Sequence, residues 1–469
     1  MKTSTVRVTD IINAMRFDSG FHLSEGTLYL KKIHEMPHEE LQNLTSKIFT
    51  AGRSKRMYTD RKFGYPYLSN SDVVKQNPIN GCKYNSRKYG FDELSFLKEG
   101  MIVTGRVGAI GQTAYITSEF EELDAMGSDN MIRIVPKDKN KSGYIYSFLV
   151  SKYGNTLLWK LAAGGVQPYI TEEMIKDMPI PVFCDDKQHK IHNLIIEAST
   201  LRTEANKLLR KADQLFISNL NINDELFDKI TNSSESATSC SFIVKKSSIT
   251  PLSIRSRTYS ERLKLIKEVF QNGSHESLIS LLQYAPVKGG RYKRVEVSEN
   301  SINAVELLNQ GDLHNLKPKG KIISKKYIDN LDNQTAKKDM IIVPAVGTLG
   351  ENEIFSRPLF VHGYLEGKVL SEHLLRIMPD RRKIDPGYLF IVLKSDLFFR
   401  IFRSIVYGTN LLYYILPLLE EMPIPRLSVS IEKEIGDLVN TAYEKLSLGN
   451  IKEYEAINIV ENAIESWQN

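Results

Sequence analysis

The chain is poor in cysteine and tryptophan and has no long apolar run. Of its 469 residues, three are cysteines (Cys82, Cys184 and Cys240) and two are tryptophans. The cysteines are odd in number and far apart, so they predict no disulfide framework and favour a reducing, cytoplasmic location. The longest apolar stretch, residues 411–419, contains a proline and has about half the length of a membrane span. The N-terminus lacks the apolar core of a signal peptide.

An excess of charge of one sign is also missing. Lysine and arginine total 62 against 56 acidic residues, which gives a formal net charge of +6. This weakly basic balance permits a polyanionic partner without requiring one. Hydrophobic residues at 42% and charged residues at 25% are typical of a globular protein, which excludes a largely disordered or fibrous chain.

Catalytic and metal-binding patterns are lacking as well. The sequence has no phosphate-binding loop that ends in Gly-Lys-Ser/Thr, and the glycine-rich segment 105–111 does not have dinucleotide-binding spacing. Residues 77–80 (NPIN) lack the second proline and the aromatic ring of an adenine methyltransferase motif. Cys184, His189 and His192 match no zinc pattern, so we interpret them as a thiol and two surface imidazoles at a helix start. We therefore expect no catalytic residue and no metal site.

The strongest positive signal is an internal repeat. Residues 101–111 (MIVTGRVGAIG) match residues 340–350 (MIIVPAVGTLG) at an offset of 239. The MIRIVP sequence at 131–136 matches LLRIMP at an offset of 243, and MPIP at 178–181 recurs at an offset of 244. The chain is therefore two copies of one unit of about 240 residues. Residues 231–248, which are rich in serine and threonine, are the expected linker.

Each copy predicts an α+β domain. In the first copy, short β-branched runs predict strands at 101–106, 112–117 and 131–135, with a turn at Gly108 and Gly111. Residues 143–161 have helical periodicity. Thr171 and the two glutamates that follow it predict the start of a short helix that ends by Met178, because prolines follow.

A long amphipathic helix follows each MPIP motif. In the first copy, two heptad columns run through Ile191, Ala198, Ala205 and Ala212 and through Leu194, Leu201, Leu208 and Leu215. In the second copy, the pattern includes Ile435, Leu438, Ile457 and Ile464 and is expected to lose its register near Gly449. We expect these two helices to pair as an antiparallel coiled coil; the alternative is that each packs on its own domain.

Positive charge is concentrated at matching places in the two copies. Residues 53–62 and 288–294 each have a local charge of +4, contain a tyrosine and read as flexible loops, and residues 317–326 hold five lysines. Cations of such loops can reach DNA phosphates, and arginine forks can read guanine edges. The candidate DNA-binding residues are Arg53, Lys55, Arg56, Arg61, Lys62, Arg87, Arg106, Lys288, Arg291, Lys293, Arg294, Lys319 and Lys325.

The order of these features resembles the specificity subunit of type I restriction–modification systems. A basic loop, a strand ending in GxxG, the segment GGVQPYIT (164–171), and MPIP before a heptad helix carry this resemblance, in both copies. The second copy departs from it, because Leu411, Tyr414 and Ala345 stand where the first has Gln167, Ile170 and Arg106.

The resemblance implies two tandem α/β target recognition domains, each of which reads one part of a split, asymmetric DNA site. The implied segments are a first recognition domain (1–183), a central helix (184–230), a linker (231–248), a second recognition domain (249–427) and a C-terminal helix (428–469). The helix pair would set the distance between the half-sites and bind two methyltransferase subunits, with two restriction subunits where the complex also cleaves.

The resemblance also implies a non-catalytic chain that binds no cofactor. S-adenosylmethionine, ATP and magnesium would bind to the partner subunits. Two alternatives are a specificity-like subunit of another phage-defence complex and a coiled-coil scaffold that does not bind DNA. A third, a stand-alone enzyme with an unrecognised site, is disfavoured by the missing motifs.

Overall fold

The computed structural model describes residues 5–89, 91–231 and 242–467. They form two compact units: the first takes residues 1–203 and 448–469, and the second takes residues 204–447. These units divide both long helices, whereas the boundaries expected from the sequence keep each helix whole. Most of the expected linker lies outside the described residues. Among the described residues, no helix combines the length and hydropathy needed to cross a membrane.

Nine strands lie in the described part of the first unit. They are β1 (His38–Glu40), β2 (Thr45–Thr50), β3 (Gly64–Leu68), β4 (Lys83–Ser86), β5 (Ile102–Gly105), β6 (Thr113–Tyr115), β7 (Met126–Gly127), β8 (Met131–Pro136) and β9 (Pro179–Pro181). They form a four-stranded sheet in the order β2-β8-β5-β6, a three-stranded sheet in the order β4-β3-β7, and the pair β1-β9. The three strands expected between residues 101 and 136 are present.

The helices of the first unit are mostly short. They are α1 (Val8–Ala14), α2 (Ser19–His22), α3 (Glu25–His34), α4 (Leu41–Leu44), α5 (Asn70–Val73), α6 (Ser118–Glu122), α7 (Ser142–Val150), α8 (Lys152–Leu161) and α9 (Glu172–Lys176), followed by the start of α10 (Asp185–Ser218). The periodic stretch at 143–161 forms two helices instead of the single one expected. The chain bends at Ser151, whose hydroxyl caps α8 by accepting from the amide of Gly154 (3.3 Å).

Two local expectations for the first unit are confirmed. Gly108 and Gly111 have φ angles of 68° and 78°, and the turn after β5 therefore requires residues that tolerate left-handed backbone. The Thr171 side chain accepts from the amide of Met174, and α9 ends before the prolines of β9.

The second unit repeats this arrangement. Its strands are β10 (His275–Ser277), β11 (Val287–Lys288), β12 (Ala304–Leu308), β13 (Lys321–Ser324), β14 (Ile341–Pro344), β15 (Leu359–Phe360), β16 (Val369–Leu370), β17 (Leu374–Ile377), β18 (Val406–Gly408), β19 (Leu412–Tyr414) and β20 (Pro423–Pro425). The sheets have the orders β11-β17-β14-β15, β13-β12-β16 and β10-β20, which match those of the first unit strand for strand, and β18-β19 is an added hairpin. The sequence repeat is thus a repeat of sheet topology.

The helices of the second unit follow the same pattern. They are α11 (Asp224–Thr231), α12 (Glu261–Gln271), α13 (Leu331–Gln334), α14 (Pro386–Lys394), α15 (Asp396–Ser404), α16 (Leu416–Glu420) and α17 (Val429–Glu465), which continues into the first unit. Helices α14 and α15 are buried almost throughout and pack in the largest core of this unit.

In helix α10, one of the two expected heptad columns is buried, and the second buried column differs from the expected one. Ile191, Ala198, Ala205 and Ala212 are completely buried, as expected. The second buried column is Ile195, Arg202, Leu209 and Phe216, one residue later than the leucine column. Leu194 is also buried, but Leu201, Leu208 and Leu215 are only half-buried. The expected leucine column therefore lies at the edge of the core, where Leu208 and Leu215 pack against it, and the next column fills the centre.

Helix α17 keeps one register along its whole length. The positions of this register are all buried, and they are Ile435, Val439, Ala442, Leu446, Gly449, Glu453, Ala456, Val460 and Ile464. The expected break near Gly449 is wrong, because Gly449 and Glu453 occupy buried positions that a search for apolar residues passes over. A Cβ added to Gly449 would lie 3.2 Å from the carbonyl oxygen of Ala198, so the two backbones approach closely there. Leu438 and Ile457 are half-buried.

Within each unit, α10 and α17 are linked by ion pairs. In the second unit, Glu204 pairs with Lys445 (2.7 Å) and Lys211 pairs with Glu434 (3.9 Å). The residue number of the partner on α17 therefore decreases as the residue number on α10 increases. In the first unit, Glu197 pairs with Lys452 (3.1 Å). In the same unit, the buried Arg202 pairs with Glu453 and donates a hydrogen bond to the Asn450 side chain (2.8 Å). Glu453 also accepts a hydrogen bond from the Tyr146 hydroxyl.

Candidate nucleic-acid interface

The first basic loop is an irregular segment that leaves the central sheet after β2. It begins at Gly52, whose amide donates to the Asp92 carboxylate (2.5 Å), and it ends at a 3₁₀ turn, Arg61–Phe63. The side chains of Arg53 and Lys55 are exposed. The loop character expected for residues 53–62 is therefore confirmed up to that turn.

Asp129 holds two arginines of this loop. It lies between β7 and β8, and its side chain is 12% exposed. Its carboxylate lies 3.5 Å from Nε of Arg53 and accepts a hydrogen bond from the guanidinium of Arg56. The Arg56 guanidinium also lies 5.6 Å from the ring centre of Tyr67, a cation–π distance. The arginines and Asp129 therefore form one cluster at the loop.

The segment around Asp129 is fixed by a buried arginine, Arg133. The Arg133 guanidinium donates to the carbonyl oxygens of Gly127 (2.7 Å) and Met131 (3.0 Å), which flank Asp129, and to that of Ser95 (3.2 Å). Arg133 has no exposed surface, and burial lowers the pKa of its guanidinium to about 10, so it remains a cation at neutral pH.

The other candidates of the first unit lie in two places. Arg61 and Lys62 share the 3₁₀ turn, and Arg87 lies next to it, because the Arg87 amide donates to the Phe63 carbonyl (3.2 Å). The guanidinium of Arg87 stacks 5.1 Å from the ring centre of Tyr65. Arg106 is half-buried, and its amide donates to the carbonyl of Asn130 (2.9 Å), the residue next to Asp129.

The second basic loop follows β11 and has the same kind of anchor. Arg291, Lys293 and Arg294 are exposed, and Arg294 pairs with Glu372, which lies between β16 and β17. Partial burial raises the pKa of Glu372, but the Glu372 backbone amide and then Arg294 outweigh that effect, so the pKa lies below its usual value. Glu372 is therefore ionised at neutral pH.

A buried arginine also fixes this second anchor. The Arg376 guanidinium donates to the carbonyls of Leu370 (3.0 Å) and Leu374 (3.4 Å), which flank Glu372. A Cβ at Gly289, the first loop residue, would lie 2.6 Å from the same guanidinium, so only glycine fits there. Gly52 and Gly289 correspond across the repeat at an offset of 237, as do Arg56 and Lys293, and each glycine stands at the start of a basic loop.

Lys288 departs from its predicted setting. The sequence placed it in the flexible loop, but it lies in β11 and is half-buried, with its Nζ atom 4.8 Å from the ring centre of Tyr413. Burial lowers the pKa of its ammonium group. A strand position and partial burial make Lys288 a weaker candidate for contact with a polyanion than the loop residues.

The lysine-rich run 317–326 is partly a strand. Lys319 is exposed just before β13, and Lys325 is exposed in a 3₁₀ turn, Lys325–Tyr327. Lys293 lies near that turn, with its Nζ atom 5.6 Å from the ring centre of Tyr327. Lys293 and the turn that begins at Lys325 are therefore linked through the Tyr327 ring.

Sequence reasoning missed the acidic anchors and the buried arginines. Asp129 and Glu372 are separated by the same offset of 243 as Arg133 and Arg376. The arginines were visible in the matched MIRIVP and LLRIMP strings as the one charge in an apolar strand. A search for clusters of positive charge does not select acidic residues, so Asp129 and Glu372 gave no comparable signal in the sequence.

The histidine interpretation needs one correction. His192 is not a surface imidazole: it is buried, and its Nδ1 atom accepts from the amide of Gly143 (3.2 Å). Gly143 packs directly on α10, so the imidazole is enclosed by the domain. Within the described parts of the chain, no three His, Cys, Asp or Glu side chains are grouped to hold a metal ion.

Exposed arginines and lysines beside tyrosine rings are typical of surfaces that bind nucleic acids. Residues 47–209 match the family model described as the type I restriction modification DNA specificity domain. This part of the chain, which includes the first basic loop and Asp129, is therefore similar to a DNA specificity domain of the type I restriction–modification class. No curated protein matches the chain.

Three solved structures are similar to the chain at low identity. The S subunit of the type I restriction–modification system of M. genitalium is 15% identical, with 91% of this chain and 94% of that one covered and a TM-score of 0.33. A chain from a study of type I R-M complex assembly and conformational transition is 11% identical, with 92% and 98% covered and a TM-score of 0.27. The HsdS subunit of Thermoanaerobacter tengcongensis is 9% identical, with 92% and 94% covered and a TM-score of 0.23.

Proposed function

We propose that the whole chain is the non-catalytic DNA sequence-specificity subunit of a type I restriction–modification system, and that each unit reads one part of a split site. One observation carries this proposal. The segment that matches the specificity-domain model contains a basic loop whose arginine pairs with a carboxylate, and the second unit repeats both this loop and the sheets around it. Because the loop sequences of the two units differ, the two half-sites differ too.

The side chains suggest a division of labour at the DNA. Arginine forks can bind the O6 and N7 atoms of guanine, whereas lysine acts as a point charge toward phosphate. We assign guanine contacts to Arg53, Arg56, Arg87, Arg291 and Arg294. Phosphate contacts are assigned to Lys55, Lys62, Lys293, Lys319 and Lys325.

We further propose that α10 and α17 pair as an antiparallel coiled coil that sets the spacer between the half-sites. The falling order of ion pairs in the second unit and the Arg202–Glu453 pair in the first support this pairing. From Ile191 to Leu215 the helix is about 37 Å long at 1.5 Å per residue. One turn of duplex DNA is about 34–36 Å, so two readers at this separation can face one side of the DNA.

The proposed partners are double-stranded DNA, two methyltransferase subunits and, in a complex that cleaves, two restriction subunits. Exposed apolar side chains on α17, at Leu448, Ile451 and Tyr454, support docking of another protein on this helix. We propose that the methyl donor, ATP and magnesium bind to these partners.

The test is DNA binding and methylome sequencing of cells with and without the gene. We expect binding that weakens steeply with salt and one split methylated motif that disappears with the gene. Arg53→Ala or Arg56→Ala should cost about 1–3 kcal/mol of binding and relax one motif position. Arg7→Ala, an exposed arginine outside the loops, is the matched control. Salt-independent or absent DNA binding would favour the scaffold alternative.

A further inference from the structure

Each unit places one carboxylate against arginines that the proposed function assigns to DNA. Asp129 contacts Arg53 and Arg56, and Glu372 contacts Arg294. Both carboxylates are largely shielded from solvent, with 12% and 23% of their side chains exposed. Acidic groups repel phosphates, so their presence at both basic loops requires an explanation.

The two carboxylates occupy the same place in the repeated fold. Asp129 is two residues after the end of β7 and two before the start of β8; Glu372 is two residues after β16 and two before β17. The two residues differ in type and length, and the arginine that Glu372 holds stands one place after Lys293, the residue aligned with Arg56. Both units therefore have a contact between this carboxylate and the basic loop, although different residue types and loop positions make it.

The backbone that carries each carboxylate is fixed in place by a buried arginine. Arg133 binds the carbonyls on both sides of Asp129, and Arg376 does so around Glu372. An arginine that leaves its carboxylate to contact DNA therefore leaves a negative charge behind at the interface. A phosphate alone replaces one anionic partner with another and faces that remaining charge, whereas a guanine edge adds two hydrogen bonds of fixed geometry.

We propose that Asp129 and Glu372 are specificity-determining positioning residues of the two DNA-reading loops. Asp129 holds Arg53 and Arg56, and Glu372 holds Arg294, in place before DNA binds. Each carboxylate penalises DNA whose base edges do not compensate for the lost contact. This inference rests on the proposed function. It predicts that removing one negative charge strengthens binding to DNA of arbitrary sequence and weakens discrimination.

The experiment compares Asp129→Asn and Glu372→Gln with the wild-type chain, each in complex with its methyltransferase subunits. The probes are a duplex that carries the methylome-derived site and a scrambled duplex of equal length, titrated over a range of salt. We expect affinity for the scrambled duplex to rise about two- to fivefold, as for the loss of a partly exposed ion pair. We also expect the slope of log affinity against log salt to steepen by up to about one per released arginine.

The position of the effect separates positioning from folding. Asp129→Asn should relax methylation only in the half-site read by the first unit, and Glu372→Gln only in the other, whereas a folding defect would reduce methylation of the whole site. Asp129→Glu keeps the charge and should restore discrimination. Glu121→Gln, which removes an exposed carboxylate paired with Lys98 (3.4 Å), is the control for net charge.

Three results would overturn the inference: unchanged affinity for the scrambled duplex, relaxation of both half-sites by either variant, or an equal effect of Glu121→Gln. Failure of the wild-type complex to bind DNA would overturn the proposed function and this inference with it. The two failures can be told apart, because failure of the proposed function is seen in the wild-type complex, whereas failure of this inference alone is seen only in the variants.

Discussion

Two arginines lie inside the strands that follow the acidic anchors. Arg133 and Arg376 are essentially without exposed surface, yet neither has a carboxylate partner among its hydrogen bonds in the described structure. Backbone carbonyls, and the Gln334 side chain for Arg376, take the donors instead. Guanidinium suits this role because its several N–H groups spread in one plane and it stays charged when buried.

Arg133→Met tests the role of this buried guanidinium. The substitution keeps much of the apolar volume but leaves the carbonyls of Gly127, Met131 and Ser95 without their donors. Because each buried, unsatisfied polar group costs about 1–3 kcal/mol, we expect a loss of at least about 2 kcal/mol in the free energy of unfolding. Urea unfolding measures it, with Arg7→Met as the exposed control. An unchanged midpoint would contradict the role.

His192 predicts a pH dependence of stability. Burial, and to a smaller extent the charge of neighbouring His189, lowers the pKa of His192 below the ordinary 6.5. Between the lowered pKa and 6.5 the unfolded chain binds more protons than the folded one, so the free energy of unfolding falls as pH decreases through this window. Urea midpoints of the wild type and of His192→Asn, measured from pH 7.5 to 5, should converge toward low pH. Parallel curves would refute this assignment.

At the scale of elements, the long helices show what a heptad pattern predicts and what it misses. The prediction that Ile191, Ala198, Ala205 and Ala212 are buried was correct. Apolar residues at heptad spacing, most of them small here, are typical of a close contact between helices. The second column was missed because Arg202 interrupts it, and the apparent break in α17 arose from Gly449 and Glu453. Polar residues that pair inside a core look like surface residues to any count of apolar positions.

The Arg202–Glu453 pair can be tested with a double-mutant cycle. Arg202→Leu removes a cation that pairs with the fully buried Glu453, and we expect about 3–5 kcal/mol of destabilisation. Arg202→Leu combined with Glu453→Leu removes both charges and should recover most of that loss. Thermal or urea unfolding of the four proteins measures the coupling. A double-variant loss equal to the sum of the two single losses would show that the pair is not coupled.

At the scale of the whole molecule, the duplication could be read from short motifs, and the sheets confirm it in their strand order. The basic loops could be located from charge, because two clusters at one repeat position stand out against a nearly neutral chain. Which arginine each carboxylate binds could not be read, since that depends on contacts between segments more than 70 residues apart in sequence. Lys288 was misplaced for a related reason: a two-residue strand leaves no periodic pattern.

A heptad insertion tests the proposed spacer. Seven residues inserted into α10 after Leu201, with seven inserted into α17 after Gly449, would lengthen each helix by about 10 Å. We expect the methylated motif to keep both half-sites and gain about three base pairs of spacer, at 3.4 Å per pair. Methylome sequencing reads this directly. Active variants with an unchanged spacer would exclude the helices as the element that sets it.

The buried arginines bind main-chain atoms, and this matters for how the protein can change. The same clamp closes on carbonyls of Gly127 and Met131 in one unit and of Leu370 and Leu374 in the other, so it places little demand on side-chain identity. Residues between the clamped carbonyls can therefore be exchanged, as Asp and Glu are, while the path of the chain is kept. On the proposed function, such a frame would let new target preferences evolve through few substitutions, without renewed selection for a stable fold.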